Sequence, residues 1–136
     1  MAKKAKAYVL DTWAIIAYLE DEPSGEHVED LIVTAHEEQT PIYMSVVNLG
    51  EVWCIIAREV SEEEADASIK ILRDLRIQFE DADWSLTLEA ARFKSKNKMS
   101  YADCFAAALA KCKKADLVTG DKEFMPLDGE IKISWI

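Results

Sequence analysis

The sequence predicts an α/β domain with a mainly parallel sheet of about five strands, flanked by helices on both faces. Three observations lead there. Short apolar runs such as Tyr8-Val9-Leu10 and Leu117-Val118-Thr119 read as strands buried on both faces. Between such runs, longer stretches repeat their apolar residues at helical spacing, so strand and helix alternate along the chain. Just beyond two of the runs stand acids, Asp11 and Asp121, where open α/β sheets place their ligands.

The elements follow in order. After the first strand, Thr12 to Glu20 reads as a short helix crowded on its apolar side by Ala14, Ile15, Ala17, Tyr18 and Leu19. Pro23 ends it, and Ser24 is placed to cap a second helix with Val28, Leu31, Ile32 and Ala35 inside. Thr40-Pro41 breaks that helix before a second strand, Ile42-Tyr43-Met44. Ser45 then stands where a cap belongs, and Leu49, Val52, Trp53 and Ile56 follow at helical spacing. Ser61-Glu62-Glu63-Glu64 has the form of a capping box and opens a helix with Ala65, Ile69, Leu72 and Leu75 inside. Arg76 to Phe79 reads as the third strand. Asp83 caps a helix through Phe93, and a basic segment follows it. Ser100 caps the Ala-rich helix from Tyr101 to Cys112, and Leu117 to Thr119 is the fourth strand. The tail from Ile131 to Ile136 alternates like a final strand.

With 136 residues, 50% of them hydrophobic, and only four Gly and three Pro, residues 1–136 read as one domain. No apolar run approaches the roughly 18 residues that a membrane span needs. Lys3, Lys4 and Lys6 ahead of an apolar stretch imitate a signal peptide. Asp11 interrupts that stretch and no small-residue cleavage site follows, so the imitation fails. Cys54, Cys104 and Cys112 are odd in number and lack CxxC spacing. They point to reduced thiols in a cytoplasm rather than a disulfide frame or a zinc site.

The net charge of −10, taken alone, argues against a nucleic-acid binder. Its distribution is uneven. No Lys or Arg occurs from Ala7 to Ala57, whereas Arg92, Lys94, Lys96 and Lys98 alternate just before Asp103. Such a stripe is a solvated face or a surface for phosphates.

Four acids stand apart from the solvated ones: Asp11 after the first strand, Glu51 on the helix after the second, Asp103 in the first turn of the helix before the fourth strand, and Asp121 after that strand. Each has a structural alternative. Asp11 can cap its helix, Asp103 gains from a helix amino terminus, and Asp121 suits a turn. Glu51 has the weakest such excuse, because it lies among Leu49, Val52, Trp53, Ile55 and Ile56. Two carboxylates about 5 Å apart repel by roughly 3 kcal/mol at an effective dielectric near 20. A cluster of four must therefore shift its pKa values or hold cations. All-oxygen ligation suits Mg²⁺ or Mn²⁺ rather than zinc, and His27 and His36 fall on the acidic second helix as surface residues. Asp116 precedes the fourth strand, about 10 Å from its far end, and is left out.

These residues also carry a resemblance. Val9-Leu10-Asp11-Thr12, then Asp21-Glu22-Pro23-Ser24-Gly25 and Val28, resembles the opening of PIN-domain ribonucleases of the VapC toxin type. Ser45-x-x-Asn48-x-x-Glu51-Val52 resembles the family's second motif, the stretch from Ser100 to Ala108 its third, and Leu117 to Phe124 its fourth. Each motif is short, but the four stand in order over nearly the whole chain. The resemblance implies a Rossmann-like fold and a Mg²⁺- or Mn²⁺-dependent endoribonuclease. It implies that Asp11, Glu51, Asp103 and Asp121 form the metal site. Thr12 and Thr119 would support it through their hydroxyls, with Ser45 and Asn48 behind the ligands. Arg92, Lys94, Lys96 and Lys98 then become candidates for contacts to RNA phosphates. A homodimer and a cognate VapB-type antitoxin, whose tail blocks the groove, are implied as well. Position 13 departs from the pattern, since many relatives carry a small or polar residue where this chain has Trp13; that bears on substrate shape beside the site.

Two other Asp-bearing α/β classes fit less well. A haloacid-dehalogenase-type phosphatase needs a second Asp two residues after the first, and Trp13 stands there. A receiver domain needs acids paired before its phosphoacceptor and a late Lys after a strand, and neither pattern is clear. The remaining alternatives are a PIN-fold RNA-processing nuclease without an antitoxin, and a catalytically silent PIN-like binding module.

Overall fold

In the computed structural model, which describes residues 4–136, five strands form one sheet: β1 (Tyr8–Leu10), β2 (Ile42–Ser45), β3 (Gln78–Glu80), β4 (Asp116–Thr119) and β5 (Ile133–Trp135). Lys3 lies outside the described residues. The strand order is β3-β2-β1-β4-β5 and every neighbouring pair is parallel. The helices are α1 (Thr12–Leu19), α2 (Pro23–Glu37), α3 (Val46–Glu59), α4 (Glu62–Asp74), α5 (Trp84–Lys96) and α6 (Tyr101–Lys113), with a 3₁₀ turn over Lys122–Leu127.

From β1 the chain winds outward through β2 to β3, then returns to place β4 on the other side of β1. The winding therefore reverses between β1 and β4, and a crevice opens there beyond the carboxyl ends of the strands. Leu10 lies level with Val118, so Asp11 and Thr119 emerge together at the mouth of that crevice.

Side chains alternate across the sheet, which divides the core in two. Leu10 and Val118 pack with Ile15, Val28, Val52 and Leu72 under α1 to α4. Val9 and Leu117 pack with Phe93, Leu109 and Phe124 under α5, α6 and the 3₁₀ turn. Each fully buried aliphatic side chain contributes about 1.5–3 kcal/mol. Burial on both faces is why these strands carry no polar alternation.

The helix starts match the sequence reading at five sites. Asp11, Ser45, Ser61, Asp83 and Ser100 each accept a backbone N–H at the first turn of the next helix. Elsewhere the boundaries differ. Glu22, not Ser24, is the cap residue of α2, and its side chain makes no capping bond. Pro23 opens that helix instead of merely ending the previous one, because its fixed φ and missing N–H suit a first turn. Arg76 takes a left-handed φ of 62° in the turn after α4, which delays the third strand to Gln78. The helix capped by Asp83 runs on to Lys96, so Arg92, Lys94 and Lys96 are helical and only Lys98 lies beyond. Among the described residues, no helix is long and apolar enough to cross a membrane. The three cysteines are free thiols, with Cys104 buried.

Candidate active site

The floor of the crevice is a chain of hydrogen bonds across the β1 and β4 ends. The Asp121 N–H donates to Thr119 Oγ1 at 2.9 Å, and the Thr119 hydroxyl donates to Asp11 Oδ2. The Ala14 N–H donates to Asp11 Oδ1 at 2.8 Å, so Asp11 caps α1 with one oxygen and ties down β4 with the other. Asp11 is fully buried. Burial pushes its carboxyl up to about 7, and the Asp121 charge adds to the rise against the lowering effect of these hydrogen bonds.

The walls come from three helices that meet at Asn48. This buried side chain donates to Thr12 Oγ1 at 3.2 Å and to the Ala102 carbonyl at 3.1 Å, joining α3 to α1 and α6. The Thr12 hydroxyl in turn faces the Asn48 carbonyl at 3.4 Å. Glu51, one turn after Asn48, is half-buried and reaches the crevice. Across from it, Ser100 accepts the Asp103 N–H at 3.1 Å and fixes the first turn of α6. Asp103 is 7% exposed. Its carboxyl is pushed up to about 7, first by burial and then by the charges of Asp121, Asp11, Glu51 and Glu123. The helix amino terminus favours its ionised form, so burial and repulsion outweigh that help.

The 3₁₀ turn completes the group. Asp121 Oδ1 accepts the Glu123 N–H at 2.9 Å, which curls the chain and brings the Glu123 side chain back beside it. Asp103, Asp121 and Glu123 each offer an oxygen within 4.8 Å of the others. These three and Glu51 line one cavity of about 380 Å³, with Thr12, Trp13, Ile16 and Ile55 among the remaining walls.

The family model for the PIN domain matches residues 8–129. The chain belongs to the PIN domain family. No curated protein matches it in sequence. Among solved structures, a chain of VapBC2 from Rickettsia felis, bound to a fragment of promoter DNA, has a TM-score of 0.73 at 16% identity, with 96% of this chain and 98% of that one covered. VapBC-1 from nontypeable Haemophilus influenzae gives 0.70 at 19% identity, covering 95% and 97%. VapC20 of Mycobacterium tuberculosis, a sarcin-ricin loop cleaving toxin, gives 0.68 at 17% identity, covering 90% and 95%. These likenesses are of fold.

Within this PIN domain, the structure brings Glu51, Asp103 and Asp121 to one cavity and sets Asp11 just beneath its lining. Asp11 and Glu51 stay outside the tight three-oxygen group, which takes Glu123 instead. Glu123 was not singled out from the sequence. Residues two apart in an extended chain share a side but lie roughly 7 Å apart along it, and the turn draws Asp121 and Glu123 together. The Asp-x-Glu spacing after a strand is the signal that was there to read. Thr12 and Thr119 make hydrogen bonds through their hydroxyls, to Asn48 and to Asp11 and Asp121 respectively, and Asn48 ties the walls. Ser45 is buried as the cap of α3, accepting the Val47 N–H at 3.1 Å. Asp116 pairs with Lys132 at the opposite end of β4, away from the acids.

None of Arg92, Lys94, Lys96 and Lys98 lines the acidic cavity. Arg92 pairs with Glu89, and the Lys94 ammonium donates to the Met99 carbonyl, bracing the loop before α6. Arg92 and Lys96 border a separate hollow beside Phe93 and Asn97. Among the described residues, the acids therefore face one another with no cation on the cavity wall. His27 and His36 are exposed on α2. An all-oxygen set of this density, with its charge unbalanced by protein cations, suits a hard divalent metal ion.

Proposed function

We propose that this PIN domain is a metal-dependent endoribonuclease that hydrolyses RNA phosphodiester bonds as a VapC-type toxin, with Mg²⁺ as its ion and Mn²⁺ as a substitute. The observation that carries the reading is the convergence of Asp103, Asp121 and Glu123 within 4.8 Å in a cavity that Glu51 also lines. The names of the VapBC complexes and of the sarcin-ricin loop cleaving toxin support it, as does the family.

In this reading Asp103, Asp121, Glu123 and Glu51 hold the ion, and Asp11 adds negative charge from below while fixing Thr119. When bound, the metal supplies charge neutralisation at the scissile phosphate and a more acidic water. Asp103 or Asp121 orients the attacking water. The walls tied by Asn48 keep the carboxylates from springing apart, so little reorganisation is left for the reaction. Lys96 and Lys98 contact phosphates farther along the strand, which adds affinity without base specificity. A homodimer and a VapB-type antitoxin that occupies the groove complete the assignment.

The test is cleavage of cellular RNA by purified protein, with the cut ends sequenced. Asp103→Asn and Asp121→Asn are each expected to lower the rate by about a hundredfold or more, and EDTA to abolish it. Cleavage by either variant at the parental rate would overturn the metal-site assignment. Cleavage unaffected by any partner encoded beside it would retain the nuclease and remove the toxin.

A further inference from the structure

Trp13 sits in the same cavity as the acids, and the metal chemistry gives it nothing to do. It is the second residue of α1, half-buried, and with Ile16 and Ile55 it supplies the apolar part of the cavity lining. Its six-membered ring lies against the chain at Gly120, between Thr119 and Asp121. A Cβ built on Gly120 would meet three indole carbons at 2.3, 2.5 and 2.7 Å. Gly120 has no positive φ, so its backbone would accept any residue, and only the indole demands the missing side chain. Trp13 and Gly120 thus form a matched pair that seats an aromatic ring next to Asp121.

The cavity lining has two chemically distinct components: carboxylates suited to a cation, and the indole and isoleucine side chains beside them. A nucleotide has the same division, with an anionic phosphate that a cation can hold and an apolar base beside it. We infer that Trp13 is the stacking platform for a nucleobase adjoining the scissile phosphate, and that the substrate is RNA with that nucleotide unpaired. The inference rests on the proposed nuclease reading. An RNA duplex hides its base faces by stacking, whereas loops and single strands can offer one to an aromatic side chain. Stacking is tolerant of base identity, so the platform favours large bases over small ones without reading an edge. A peptide segment of a partner is the rival occupant. The adjoining carboxylates favour the nucleotide, because they need a cation and the cation needs a phosphate.

The experiment measures kcat/KM on an oligonucleotide containing the mapped cleavage site, and on copies with an abasic sugar on either side of the cut. Trp13→Ala should lower kcat/KM on the intact strand about ten- to a hundredfold, the scale of one lost stack. One abasic copy should lose a similar factor with the parent protein and almost nothing further with Trp13→Ala. Trp13→Phe, which keeps a ring, should retain most of the rate. Gly120→Ala, which pushes the indole aside, should reproduce the Trp13→Ala loss in the parent and add little to it in the double variant. That cycle guards against a loss caused by misfolding, as does a thermal melt of each variant. Equal kcat/KM for parent and Trp13→Ala would overturn the platform and leave the nuclease standing. So would a Trp13→Ala protein with parental cleavage but weakened hold on its antitoxin, which would assign the ring to the partner. Parent protein that neither cleaves RNA with Mg²⁺ nor binds it with Ca²⁺ would overturn the nuclease reading and the platform together.

Discussion

Asp11 carries two duties whose demands conflict. As a cap it accepts the Ala14 N–H and the Thr119 hydroxyl, and both bonds favour its ionised form. Complete burial near Asp121 disfavours that same form more strongly, and the carboxyl rises to about 7. Holding it ionised at pH 8 then costs the metal-free fold about 4 kcal/mol as an upper bound. Asp11→Asn removes that charge and upsets one hydrogen bond, worth about 1 kcal/mol. The variant is therefore expected to be more stable than the parent by about 2 kcal/mol at pH 8 in EDTA, and inactive toward RNA. Urea unfolding and a cleavage assay on the same preparation check it. A variant less stable than its parent under those conditions would show that the cap matters more than the charge.

At the scale of elements, Asn48 decides whether α1, α3 and α6 hold their acids together. Its amide has partners on both neighbouring helices, and no apolar replacement can satisfy the Thr12 hydroxyl and the Ala102 carbonyl. Asn48→Ala should cost about 1–3 kcal/mol in urea unfolding. It should also weaken Mg²⁺ binding measured by calorimetry, since Glu51 and Asp103 lose their common tie. Ser100→Ala should cost about 1 kcal/mol as a lost cap, with a smaller effect on the metal. A Ser100→Ala protein that binds Mg²⁺ far more weakly than Asn48→Ala would reverse this ranking. Five helix starts were legible in the sequence because a capping side chain acts on its own next turn, and the start of α2, where no side chain caps, was not. Stops were less so: Arg76 delays β3 through a left-handed φ, and α5 runs past Phe93 to Lys96 although the basic residues look like a break. Glu123 was easily passed over for a related reason. Its placement depends on a six-residue 3₁₀ turn with Pro126 inside, too short for any periodicity.

For the molecule as a whole, pH and metal should act against each other. Asp11 and Asp103 keep protons up to about 7 when folded, while unfolded carboxyls release them near pH 4. Folded protein thus binds more protons between those values, and metal-free stability falls as pH rises from about 4 to about 7. Saturating Mg²⁺ should raise the melting temperature most above pH 7, where all the acids are ionised, and flatten the profile. Melting curves from pH 5 to 8, with EDTA or Mg²⁺, check this; a Mg²⁺ shift as large at pH 5 as at pH 8 would contradict it. The sheet was legible because strands buried on both faces carry a signal no surface element imitates. The strand order was not legible, because nothing local in a strand names its neighbour; the structure pairs β1 with β4. Charge pattern alone did not separate the members of the basic stripe: Arg92 and Lys94 brace α5 and the loop beyond it, and none of the four lines the acidic cavity. The sheet order has one more consequence, in time rather than space. Translation delivers Asp11 and Glu51 well before β4, yet β4 is the strand that lies beside β1 and carries the chain to Asp121 and Glu123. The carboxylate group therefore closes only once β4 has taken its place beside β1, and on the proposed nuclease reading a growing chain is harmless until then.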